Sequence, residues 1–199
     1  MSEILDSPSQ KEAGAEDAGL NTAISLTVAL AGTFMAFTNV KDGNINQAMQ
    51  DAQARRINEW SYYQAKSTKQ HIAEGTLEQL RSLKLLSSSA SAETMRDLDQ
   101  KIAAFEAKVT KYETEKAEIK TKAEAWQTTY DDLNKVDDQF DLSDATMSVG
   151  IALSGVSALV RRRSLFILSL GFVIFGALMG LAGFFGWGIQ IPFLSKLLS

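Results

Sequence analysis

Hydrophobic and polar positions follow two different rhythms along this chain. The first is continuous. Leu20 to Val40 is a run of 21 residues without a charge, Ala145 to Val160 is a second apolar run, and Leu165 to Trp187 is a third of 23 uncharged residues. A helix needs roughly 20 apolar residues to cross the hydrocarbon core of a bilayer. The three runs therefore predict membrane spans over 20–40, 144–160 and 165–187. The first span is polar for its kind, with Asn21, Thr22, Ser25, Thr27, Thr33, Thr38 and Asn39. Such helices pack against protein rather than facing lipid all round.

The second rhythm is periodic and fills the middle, 41–143. From Met95 through Leu98, Ile102, Phe105, Val109, Tyr112, Lys116, Ile119, Ala123, Trp126, Tyr130, Leu133, Asp137 and Phe140, steps of three and four alternate, and only Lys116 and Asp137 are not apolar. Sustained three-four spacing predicts a coiled-coil seam. The preceding half is helical in composition with a looser stripe: Ile45, Met49, Ala52, Ile57, Trp60, Tyr63, Ile72, Leu77, Leu80 and Leu83. A serine-rich turn over 87–92 separates the halves, with Ser91 as a helix N-cap. Two arms of equal length around one turn predict an antiparallel hairpin. The fold class expected is all-α: three transmembrane helices with a long antiparallel coiled-coil hairpin inserted between the first and second spans. Residues 1–19 read as a flexible acidic tail, 161–164 as a basic turn, and 188–199 as a tail lying in the membrane interface.

Composition narrows the function classes. The chain has 199 residues, a formal net charge of −4, no cysteine and one histidine. Disulfides, thiolate metal sites and a cysteine nucleophile are excluded. An acidic balance without a basic cluster on a soluble face argues against a nucleic-acid partner. A mean hydropathy of −0.07 resembles that of a soluble protein only because the apolar ends and charged middle cancel. Arg161, Arg162 and Arg163 stand in a turn between two spans. Basic residues in short loops stay in the cytoplasm. The turn thus sets the N-terminus in the cytoplasm and the hairpin on the periplasmic side. Lys41, Arg55 and Arg56 after the first span pull the other way, but long segments translocate largely regardless of charge.

Reactive-looking residues gather in Trp60–His71, WSYYQAKSTKQH. His71 has only Glu74, three residues on, as an orienting carboxylate, which is an ordinary helix-surface pair. Asp137, Asp141 and Asp144 share one helix face, and hairpin geometry sets Lys41 opposite Asp137; this reads as a charged collar paired with Lys41 and Lys135. The same geometry sets Lys116 opposite Tyr62 and Tyr63, where its stem packs while its ammonium reaches an aromatic face or Glu59. Gly75, mid-helix, marks a bend or a close contact. Gly176 and Gly180 form a G-x-x-x-G pair in the third span, suited either to self-association or to packing within the chain. The contact residues expected are Trp60, Tyr62, Tyr63, Lys116, Trp126, Tyr130, Gly176 and Gly180. No catalytic residue, cofactor or metal is expected.

The core from Trp60 to His71 after a first span, the charged middle, then DDQFDL ahead of a span, a basic turn and a last span, resembles an uncharacterised bacterial membrane family, the domain of unknown function number 4337. The resemblance covers nearly the whole chain beyond the acidic tail. It implies an integral bacterial membrane protein of three spans and implies no activity. The function expected is that of a multi-pass inner-membrane structural or interaction protein, not an enzyme. It self-assembles through its hairpin and its small-residue transmembrane faces. Its partners would be its own copies, the lipid bilayer and possible other membrane proteins. An accessory subunit or channel-like oligomer is the alternative, with the polar residues of the first span lining a water path.

Overall fold

The computed structural model describes residues 8–87 and 89–187, and the side chains from Ala18 onward among them. The interfacial tail expected over 188–199 and the first seven residues of the acidic tail lie outside the described residues. Three helices make up the described chain: α1 (Pro8–Leu86), α2 (Ala92–Val160) and α3 (Arg163–Phe185). Each contains a stretch long and apolar enough to cross a membrane by length and composition. The flexible tail expected through Gly19 is corrected from Pro8 onward, because Pro8–Gly19 belong to α1. Proline suits the first helical position, and Glu12, Ala13, Ala15 and Glu16 are good helix formers.

The chain divides into two compact units. One holds Met1–Ala48 with Asp132–Ser199 and the other Met49–Asp131. In the three-helix unit, Ala31 of α1, Met147 of α2 and Val173 of α3 form a buried cluster, with Phe34, Met35 and Ile151 packed on it. The helix interfaces of this unit are built from small residues facing large ones. A Cβ on Gly150 would lie 2.6 Å from Val173 Cγ2, one on Gly180 would lie 2.7 Å from the Phe34 ring and 2.8 Å from Ser143 Oγ, and one on Gly183 would lie 2.9 Å from the Phe140 ring. At Gly176 it would meet Met147 Cγ and, at 2.9 Å, the Ser143 carbonyl. The contacts fall on α2 and α3 in opposite order, so these helices are antiparallel. Three buried serine hydroxyls of the α2–α3 interface are satisfied inside it. Ser154 and Ser169 hydrogen-bond at 2.9 Å with both residues fully buried, Ser169 donates to the Phe166 carbonyl at 2.8 Å, and Ser157 donates to the Arg162 carbonyl at 2.9 Å. Satisfaction of this kind is needed wherever water is absent.

The connection between α2 and α3 is only two residues long. Arg161 takes a left-handed conformation (φ 52°) and Arg162 an extended one, after which α3 begins at Arg163. At its other end α3 stops at Gly186 (φ 63°), where the Trp187 N–H reaches back to the Ala182 carbonyl at 3.0 Å. This is the glycine-dependent helix stop.

In the two-helix unit, the less exposed positions of α2 repeat the three-four spacing, with Leu98 and Ala123 buried and the others half-buried. Between Ala92 and Asp131, the residues not fully exposed are Met95, Leu98, Ile102, Phe105, Val109, Tyr112, Lys116, Ile119, Ala123, Trp126 and Tyr130, joined by Glu115 and Gln127. The matching face of α1 also steps by three and four, through Met49, Ala52, Arg56, Glu59, Tyr63, Lys66, Gln70, Ala73, Leu77, Leu80 and Lys84. This corrects the looser stripe read from sequence. Ile57, Trp60, Ile72 and Leu83 are exposed, and polar Arg56, Glu59, Lys66 and Gln70 take the seam positions. The turn begins as expected: the Ser91 hydroxyl accepts the Thr94 N–H at 3.2 Å and caps α2. Gly75 has open space where a Cβ would stand, so no close contact requires it.

Candidate interaction site

The seam of the two-helix unit concentrates the residues singled out by sequence. Its chemistry follows from its composition: α1 supplies cations and α2 supplies aromatics. The Arg55 guanidinium lies 5.0 Å from the Trp126 ring centre, and that of Arg56 lies 5.8 Å from Tyr130. Arg56 also donates to the Gln127 side-chain carbonyl. One step along, the Lys66 ammonium sits 5.3 Å from the Tyr112 ring centre and pairs with Glu115 at 2.5 Å. There the order inverts, because the cation comes from α2: Lys116 lies 5.3 Å from the Tyr63 ring centre. Trp60 packs edge-on against Tyr63 at 5.4 Å. Arg81 with Glu106 at 2.7 Å, and Lys84 with Asp99, continue the cross-pairs toward the turn. As numbers rise along α1, the partners' numbers fall along α2.

A cation over an aromatic face gains more as it is desolvated, from about 0.5 kcal/mol when exposed to about 2 kcal/mol or more when buried. Two helices alone leave the seam open on both flanks, so these contacts sit at the lower end of that range. Lys66 lies beside Glu115 and, by donating a hydrogen bond, holds its carboxyl below the usual carboxylate range. Hydrogen bonds from Gln70 and His71 lower the Glu74 carboxyl in the same way, and the Lys116 charge adds a smaller effect.

The structure sorts the expected contact residues. Tyr63, Lys116, Trp126 and Tyr130 meet in the seam. Tyr62 does not: it is 63% exposed and points away from Lys116, because Tyr63 holds the seam position. Trp60 is at the seam's edge. His71 pairs with Glu74 at 3.0 Å on an exposed helix surface. Arg55, Arg56, Lys66, Glu115 and Gln127 were not among the contact residues expected from sequence. A search for apolar periodicity passes over polar seam positions, and only the unbroken three-four step from Met49 could have flagged Arg56 and Lys66. The small-residue reading is also sharpened. Gly176 and Gly180 receive Met147, Ser143 and Phe34 of their own chain. The face they offer is thus filled, and self-association through this pair is corrected to packing within the chain.

The acidic collar is arranged differently from the sequence expectation. Asp42, not Lys41, meets Asp137, and the neighbouring Asp42 carboxyl favours the protonated form of Asp137. The Oδ1 atoms of both are buried and have no donor. Burial foremost, then the Asp42 contact and the Asp141 charge, pushes the Asp137 carboxyl up to about 7. Burial also raises Asp138 and Asp141. Lys135 pairs with Asp132 of the same acidic segment at 2.7 Å, as expected for a collar residue.

The sequence features and these helices agree with one comparison. No curated protein matches the chain, and no solved structure matches it. The model of one protein family, described as Domain of unknown function (DUF4337), matches residues 20–186, which takes in all three apolar stretches and the whole two-helix unit, and the chain belongs to that family.

Proposed function

We propose that the protein is a structural or interaction protein of the bacterial inner membrane, with no catalytic activity, and that it assembles with copies of itself. In this reading 41–143 is an antiparallel coiled-coil hairpin, the Arg161–Arg163 turn is cytoplasmic, and the hairpin lies on the periplasmic side. The observation that carries the reading is the seam of the two-helix unit. Over 83 residues its buried apolar side chains are Met49, Ala52, Ala73, Leu77, Leu98 and Ala123, three of them alanine. A core this small falls short of what an independently stable domain of that size needs, and association supplies the missing burial. The detergent-solubilised protein is expected to have a mass that is a multiple of 21.7 kDa by light scattering. A single monomer mass across dilutions into the nanomolar range contradicts it.

A channel-like oligomer is the second reading. It rests on Thr22, Ser25 and Thr33, which are exposed on α1 with their hydroxyls donated to carbonyls four residues back. These side chains face outward from the single chain, so a water path would form between copies. Single-channel recording in a planar bilayer separates the two readings.

A further inference from the structure

The two helices of the Met49–Asp131 unit have outer surfaces of opposite character. Every exposed large apolar side chain of this unit is on α1. Tyr62, Ile72 and Leu83 share one flank of it, since Leu83 is three heptads after Tyr62 and Ile72 is one heptad and three residues after it. They are 63%, 64% and 50% exposed. Ile72 also forms one wall of an open groove of about 250 Å³ between the helices, with Lys69 and Lys108 at its rim. Among the described residues, neither ammonium has a carboxylate within ion-pair distance.

The outer surface of α2 is smooth. Ala103, Ala107, Thr110, Thr114, Ala117 and Thr121 step by four and three along its back, all exposed. The threonine hydroxyls are turned into their own helix: Thr110 donates to the Glu106 carbonyl at 3.1 Å, Thr114 to Thr110 at 3.0 Å and Thr121 to Ala117 at 3.1 Å. With its hydroxyls satisfied locally, this row presents methyl groups and lets another helix come close. Charge runs the same way as size. Among exposed side chains of the unit, α1 carries three basic and two acidic residues, whereas α2 carries eight acidic and six basic. Large apolar side chains on a basic helix thus complement a low methyl row on an acidic one, and a single chain cannot bring its own two outer faces together.

We propose that a second copy of this chain lays the back of its α2, along Ala103–Thr121, against the α1 flank bearing Tyr62, Ile72 and Leu83. This rests on the self-assembly reading and specifies its surface. The contact joins unlike faces, so a pair of copies keeps one free face of each kind, and either a reciprocal second contact or closure into a ring satisfies both.

The chain has no cysteine, so introduced ones report cleanly. Full-length Ile72→Cys protein is mixed in detergent with Thr114→Cys protein and oxidised, with Thr110→Cys and Thr121→Cys scanned in parallel to cover register. The expected product is a 72-to-row heterodimer at least five-fold above either homodimer, together with a smaller assembly mass for Ala117→Arg at unchanged helix content. A dominant 72–72 or 114–114 product, or an oligomeric mass without any 72-to-row product, overturns this surface while leaving self-assembly standing. A monomeric mass of the unsubstituted chain overturns both.

Discussion

The two units join their helices by opposite means. In the three-helix unit, glycines on α2 and α3 let large side chains of the facing helix sink to the backbone, and buried hydroxyls bond one another. In the two-helix unit no glycine is at the seam, and long cationic side chains of α1 lie across aromatic rings of α2. The first interface is dry and shape-determined. The second is half-open and made of contacts that water competes for. Each suits its composition: small-residue packing is what holds helices together where lipid removes the hydrophobic drive, and amphipathic cations covering rings suit a surface facing water.

The sharpest way to break the contrast is to add volume. Gly176→Leu places a side chain where Met147 and the Ser143 carbonyl already stand, and overpacking of this kind costs about 3 kcal/mol. Gly171→Ala is the control, since nothing lies within 4 Å of its Cβ position, and it should change stability by less than about 0.5 kcal/mol. Unfolding in a denaturing-detergent titration, followed by circular dichroism, reads both. In the other unit, Trp126→Ala removes a half-buried ring and the Arg55 contact over it, and should cost about 2 kcal/mol. An equal loss for Gly171→Ala and Gly176→Leu, or no loss for Trp126→Ala, would erase the distinction.

The acid pair gives a pH signature confined to the three-helix unit. Asp137 binds its proton more tightly folded than unfolded, because its carboxyl is raised from 3.8 to about 7. The stability it contributes is complete below pH 4 and is lost as pH rises through 7. The melting temperature should therefore fall by about 2–4 °C between pH 5 and pH 8, and Asp137→Asn should flatten that slope. A slope unchanged in the variant removes Asp137 as its source. The smallest effect is a gain. Gly75→Ala fills open space on an exposed helix face, and should stabilise the two-helix unit by about 1 kcal/mol in chemical denaturation.

How much of this was legible in the sequence depended on whether a contact used apolar residues. The α2 seam could be read position by position because its members are apolar at a strict spacing. The α1 seam could not, since Arg56, Glu59, Lys66 and Gln70 look like surface residues until α2's rings are placed opposite them. Apolar Ile57, Trp60 and Ile72 drew the expected stripe to the wrong flank. Gly176 and Gly180 were visible as a close-packing pair, but their partners, Met147 and Phe34, are on helices that sequence could not orient. The collar was misread by one residue. In the three-helix unit Lys41 and Asp42 are both half-buried, and α2 is half-buried or buried at every position from Leu133 to Phe140, so a simple opposed-position rule does not choose between the two.

The central claim is that the two-helix unit depends on neighbouring copies while the three-helix unit is complete in one chain. Amide hydrogen exchange of the full-length protein, followed by mass spectrometry over a thousand-fold dilution series, tests it directly. The account predicts that protection over 49–131 falls as the protein is diluted while protection over 143–183 stays constant. Protection over 49–131 that is independent of concentration, in a monomeric sample, would contradict it.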